Sequence, residues 1–179
     1  QYRYDDANVP HARIAQLRAT TVAAGSAQSP GQPGASATVV TEFDERVGAD
    51  RKIESTIEVM PDYLAIGSDD DFVRMPMTPQ TAQRLADAFG CVLPTRKMVD
   101  AIDAAAEIHV APHPMTEARE AVATFVEHHQ IIEKQRQDKP LGQLITGIKK
   151  DIVLTPRIFE KPQRLAIYGW RQLNGQPIQ

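Results

Sequence analysis

Chemistry in this chain would have to come from a few short polar groupings. Asp69, Asp70 and Asp71 place three carboxylates in consecutive positions, a composition that oxygen-preferring cations such as calcium can use. Their spacing matches no EF-hand loop, and Asp is also favoured in turns for backbone reasons, so a solvated turn competes with a metal or polar-substrate contact. Arg96 and Lys97 follow Thr95 where a helix should begin, and Lys149, Lys150 and Asp151 stand before an apolar run. Cations at a helix N-terminus oppose its dipole, so Arg96 and Lys97 need acidic partners, such as Asp100 or the Asp69 to Asp71 cluster, or an anionic ligand.

The histidines and the cysteine are weaker candidates. His109 and His113 share a loop near Asp100, Asp103 and Glu107, but Pro112 between them prevents the helical i, i+4 geometry of a zinc motif. His128 and His129 are adjacent on a predicted helix and therefore point about 100° apart. His129 falls on the apolar stripe, as a core histidine or a proton-transfer group, and His128 is expected to be solvated. Cys91, between Phe89, Gly90, Val92 and Leu93, reads as an inert buried thiol, since nucleophilic use needs a lowered pKa. Gly-rich phosphate loops, GxSxG elbows and Rossmann fingerprints are absent.

These residues need elements to hold them. Ile14, Leu17 and Arg18 permit a short helix over 11 to 23, and the Gly, Ser, Pro and Gln stretch from 25 to 37 reads as a linker. Alternation over 38 to 47 and 51 to 60 predicts two strands turned by Gly48, Ala49 and Asp50. Shorter pieces at Tyr63 to Ile66 and Phe72 to Met77 extend an antiparallel meander. Thr78 and Pro79 start a helix that ends near Gly90, and a second runs from Pro94 and Thr95 to about Glu107. A third should start at Thr116 and bury Val122, Phe125, Val126, His129 and Ile132. Leu141 to Ile148 fits a short amphipathic helix despite Gly142 and Gly147. Ile152 to Leu154 reads as a strand, and Asn174 and Gly175 turn a terminal hairpin.

Composition narrows the classes. The 179 residues carry 20 Lys plus Arg against 23 Asp plus Glu, a net charge of -3, which excludes a generic nucleic-acid footprint. Hydrophobic residues at 42%, with a mean hydropathy of -0.35, describe an ordinary folded domain, and no apolar run reaches the roughly 20 residues of a membrane span. The single cysteine rules out an intramolecular disulfide scaffold or a Cys-rich zinc module. The chain opens at Gln1 without a Met, as a processed exported protein or a segment cut from a longer chain would.

The strings PDYLAIGSDDDFVRMPMTPQTAQRLADAFGCVLPTRKMVDAI (61 to 102), KKDIVLT (149 to 155) and RLAIYGWRQLNGQPIQ (164 to 179) resemble a family of exported bacterial proteins that carries no assigned activity. The resemblance covers most of residues 50 to 179 and implies a secreted or periplasmic location. It also implies a natural chain that continues past Gln179 with a Tyr-Ser-His-Gly run. KKDIVLT and RLAIYGWRQLNG are in addition similar to the two central strands of papain-like cell-wall peptidases. Those enzymes place Cys at a helix start and His on the strand, whereas Cys91 follows a helix end and Arg164 occupies the strand start, so no catalytic residue carries over.

The expected fold is α+β: an antiparallel sheet from the N-terminal meander and the C-terminal hairpin, packed on three or four central helices, with residues 1 to 37 as a segment and linker and 38 to 179 as one domain. Two functions follow. One is a secreted or periplasmic hydrolase of a cell-envelope or extracellular polymer, with His129, Asp71 and Asp151 moving protons and Asp69, Arg96, Lys97 and Lys150 binding the ligand. The other is a non-enzymatic binding or assembly domain of an exported protein, in which the same groups form structural ion pairs and the terminal hairpin docks on a partner. Neither reading calls for a cofactor or a nucleic acid, and metal content and oligomeric state stay open.

Overall fold

A strand gains from an apolar face and a helix from a start signal, and this chain supplies the first at Ile57 and Val59 and the second at Thr78 and Thr95. The computed structural model describes residues 15–18, 37–43, 53–68, 70–157 and 164–178. Elements run in the order β1 (Ala15–Arg18), β2 (Ala37–Phe43), β3 (Ile53–Val59), β4 (Ala65–Gly67), β5 (Phe72–Arg74), α1 (Pro79–Ala88), α2 (Arg96–Ala105), β6 (Ile108–His109), α3 (Val122–Arg136), β7 (Ile145–Thr146), β8 (Asp151–Ile152) and β9 (Ile167–Tyr168). The architecture is mixed α and β, with small, mostly antiparallel sheets and three helices among the described residues. None of these helices is long and apolar enough to cross a membrane.

The strands do not join into one sheet. β3 is central to an antiparallel sheet of order β1-β3-β2, and its inward Ile57 and Val59 are sealed from solvent. Residues 15–18, expected in a helix, instead pair with β3 from Ala15 opposite Val59 to Arg18 opposite Thr56. The ladder to β3 satisfies their backbone, which local helical spacing could not foretell. Pro61 and Asp62 then break the meander, so β4 and β5 form a separate hairpin closed by Ser68 and Asp71. β8 and β9 pair with each other, away from the meander, and β6 pairs with β7 in parallel. The turn expected at 48–50 and the linker from 25 to 36 lie outside the described residues.

α1 and α2 begin as their caps dictate. Thr78 Oγ1 accepts from Thr81 N at 3.2 Å with Pro79 at the first helical position, and Thr95 Oγ1 accepts from Met98 N at 3.4 Å. Gly90, at φ 64°, ends the first helix in the left-handed conformation. α3 starts six residues later than Thr116, because Ala118 adopts φ 41° and its carbonyl accepts from Ala121 N and Thr124 Oγ1 in a turn. Its buried stripe is Thr124, His128 and Ile132, so His128 faces inward and Val122, expected in the core, is 66% exposed.

The helix expected over 141 to 148 does not form. Gly142 at φ 93° and Gly147 at φ 91° hold conformations foreign to a helix, and the segment supplies β7. Apolar side chains then close three neighbouring clusters. Leu64, Leu93 and Ile152 pack on α1, Ile57 and Val59 pack on Met98 and Ile102 of α2, and Tyr63, Ile108 and Ile145 pack on Ile132 of α3. Gly147 is a tight junction between β7 and the chain after β6, since a Cβ there would stand 2.2 Å from the Val110 carbonyl oxygen. Gly147→Ala is therefore expected to cost more than about 2 kcal/mol, from left-handed strain plus displaced backbone, while Gly175→Ala at φ 80° in open space costs about 1 kcal/mol. Urea unfolding of the two variants would refute this if their losses were equal.

Candidate functional site

Three polar clusters emerge where these elements meet, and the first is built on a buried guanidinium. Arg74, at the end of β5, is only 1% exposed. Its Nε donates to Asp62 Oδ1 at 2.8 Å and its Nη2 to Asp62 Oδ2 at 2.5 Å, a bidentate fork, while Nη1 donates to Glu133 Oε1 at 2.7 Å. Burial works against the charge, but the hydrogen bonds and charges of Asp62 and Glu133 outweigh it and raise the Arg74 pKa. Burial likewise disfavours the Glu133 carboxylate, yet bonds from Arg136 and Arg74 hold its pKa below the ordinary value.

His129 belongs to this cluster. Its Nδ1 lies 3.2 Å from Arg74 Nη1, and Phe72 meets its ring edge-on at 4.9 Å. Burial, then the Arg74 charge, lowers its pKa, with Glu133 and Asp62 opposing. Asp71 sits nearby in sequence but is exposed in the hairpin turn, where its backbone exchanges hydrogen bonds with Ser68. Asp69 lies outside the described residues.

A second cluster ties α2 to the C-terminal hairpin. Asp100 receives hydrogen bonds from Tyr168 Oη at 2.7 Å and from Arg171, and Asp103 pairs with Arg171 Nε at 3.3 Å. Arg96 and Arg171 place their guanidinium carbons 5.3 and 5.7 Å from the Tyr168 ring centroid. Arg96 thus escapes its unfavourable helix-end position by stacking on an aromatic face, and Lys97 beside it is exposed.

The third cluster gathers at the bend before β8. Tyr63 Oη donates to the Lys149 carbonyl at 3.1 Å and to Asp151 Oδ2 at 3.4 Å, and Trp170 Nε1 donates to the Gly147 carbonyl at 3.1 Å. Tyr63, His128, Lys149, Asp151 and Trp170 are all buried. Gly169 is required here, because a Cβ would stand 2.5 Å from Val99 Cγ1 and 3.1 Å from Asp151 Oδ2. Lys149 Nζ lies 5.5 Å from the Trp170 ring centroid and Lys150 Nζ 6.0 Å. No carboxylate among the described residues lies within ion-pair distance of Lys149. Its burial, then the Arg119 charge, pushes the amine pKa down to about 8. Burial, then the charges of Lys149, His113 and Arg74, takes the His128 imidazole down to about 4, against a hydrogen bond with the His113 main chain.

The expected site residues that are described thus fall in different clusters, His129 beside Arg74, Arg96 on Tyr168, and Lys150 with Asp151 at the bend before β8. Neither His129 nor Asp71 hydrogen-bonds to Asp151, and Arg96 and Lys150 attend different aromatic rings. Cys91 donates weakly to the Phe89 carbonyl at 3.5 Å, and burial raises its thiol pKa, so it has the character of an inert thiol. Among the described residues, no group of three His, Cys, Asp or Glu side chains is placed to hold a metal ion. The residues that sequence reasoning passed over are Tyr63, Arg74 and Trp170, and it took Lys150 rather than Lys149 and His129 rather than His128 as the important neighbour. No family model, curated protein or solved structure matches the chain.

Two stability effects follow. His128 stays neutral in the folded protein down to about pH 4 while the unfolded chain protonates near 6.5, so stability falls as pH drops through that window, by on the order of 3 kcal/mol. Urea unfolding of His128→Gln between pH 7 and 4 should show a flatter profile than wild type, and an unchanged slope would reject the assignment. Lys149 opposes folding below pH 8, because the buried ammonium exists in the folded state there, and stability recovers between pH 8 and 10.5. Lys149→Met is expected to stabilise the protein at pH 7 by about 1–3 kcal/mol, a gain that shrinks across the same alkaline window.

Proposed function

We propose that the chain is a non-enzymatic binding domain of an exported protein, and that its ligand is a cell-envelope or extracellular polymer. The observation that carries this reading is the way its polar groups are spent. A hydrolytic site needs a nucleophile or water-activating base within hydrogen-bond reach of a second catalytic group, with donors facing the reacting carbonyl or phosphoryl. Here the imidazole of His129 is held by Arg74 and Phe72, Asp71 is exposed in a turn, and Asp100 and Asp103 are engaged by Arg171. Such pairing suits a rigid scaffold. The exported location rests on the family resemblance.

The hydrolase alternative keeps His129, Asp71 and Asp151 as its acid and base groups and requires a substrate that draws them together. Co-sedimentation with purified, insoluble cell-envelope polymer separates the two readings. A binding domain should leave the supernatant with the polymer and release no soluble fragments over prolonged incubation. Fragment release that disappears in His129→Gln or Asp151→Asn would overturn the binding reading in favour of catalysis.

A further inference from the structure

A buried ammonium is normally matched by a carboxylate or a set of carbonyl oxygens, because the loss of hydration otherwise goes uncompensated. The chain follows this rule at Arg74 and breaks it at Lys149. Lys149 is 6% exposed, yet no hydrogen-bond acceptor or carboxylate among the described residues engages its Nζ, which lies 5.5 Å from the Trp170 ring centroid. Asp151, the nearest acidic residue in sequence, directs Oδ2 toward Tyr63 Oη. The charges acting on Lys149 and His128 are cationic: Arg119 on Lys149, and Lys149, His113 and Arg74 on His128, with Lys150 also facing Trp170 and the Asp151 carboxylate buried on the Tyr63 side.

We propose that Lys149 and Trp170 form a binding site for a carboxylate group. One ammonium, with the neighbouring His128 neutral, matches a single negative charge. A phosphate or sulfate would need several converging donors to replace its hydration, and the Arg74 fork is already filled by Asp62 and Glu133. Trp170 adds an apolar wall for the carbon body attached to the carboxylate. Tyr63 Oη is committed to Lys149 O and Asp151, so it holds the backbone of the site and leaves the amine as the ligand contact. The low amine pKa fits this arrangement, since a bound anion would restore the charged form that burial disfavours. This site supplies the ligand contact of the binding domain proposed above and rests on that reading for its biological source, a uronate of an acidic polysaccharide or a peptide carboxylate.

Trp170 is the single tryptophan, so its fluorescence reports on this corner alone. Acetate, glucuronate, N-acetylglycine and inorganic phosphate are titrated at pH 7 and constant ionic strength into wild type, Lys149→Met and, as a control at an exposed lysine, Lys139→Met. The expected result is a saturable Trp170 change with the carboxylates, about 10- to 100-fold weaker in Lys149→Met and nearly unchanged in Lys139→Met. Tighter binding of glucuronate supports the site with a polysaccharide source, and tighter binding of N-acetylglycine supports it with a peptide source. Absence of a saturable change, an equal response in Lys149→Met, or phosphate binding as tightly as the carboxylates would overturn the proposal. Co-sedimentation that persists in Lys149→Met would reject this site as the polymer contact while leaving the binding reading intact.

Discussion

Placing a guanidinium in the interior commits everything around it, and Arg74 makes that commitment for this protein. Its fork takes both oxygens of Asp62, just before β4, and its remaining donor reaches Glu133 on α3. Because a buried charge stripped of its partner is far costlier than a lost surface contact, the β4-β5 hairpin and α3 can sit against each other in one relation only. That relation fixes the rotation of α3. With Glu133 directed to Arg74, the stripe of Thr124, His128 and Ile132 turns inward and Val122 outward.

The rotation has a consequence on the far side of the helix. His128 is carried toward Lys149, and both bases are held in surroundings that favour their neutral forms. Arg74 and Lys149 illustrate how differently the two cationic side chains behave when buried. A planar, always-charged fork is tolerated because two carboxylates are built to fit it, whereas the amine adjusts its proton affinity and rests near an aromatic face. The same fold thus contains one cation that is fully answered and one that is not.

Local signals made much of this legible in advance. Thr78-Pro79 and Thr95 announce α1 and α2, and the alternation of Ile53 to Val59 announces β3, because caps and strand patterns act over a few residues. α3 starts later than Thr116 although Glu117 and Glu120 look like first-turn acids, because the turn at Ala118 is held by Thr124 from within the helix. The segment 141 to 148 shows apolar helical spacing, but its glycines and the parallel pairing to Ile108 and His109 prevail. The candidate site was the least legible part. Nothing in the string Lys149, Lys150, Asp151 tells which lysine is buried, since that depends on Tyr63 and Trp170 arriving from distant positions.

Those distances in sequence also bear on how the molecule is made. Tyr63 waits 86 residues for the Lys149 carbonyl, Arg74 waits 59 for Glu133, and Asp100 waits 71 for Arg171. Fixing such contacts demands long loop closures, which slow folding relative to a helical bundle of the same size. A nascent chain ending before residue 149 has its three described helices and the β4-β5 hairpin but no means of sealing the corner where Tyr63 and His128 belong. The protein is thus expected to stay open through most of its synthesis and to consolidate late, once the last strand pair is available.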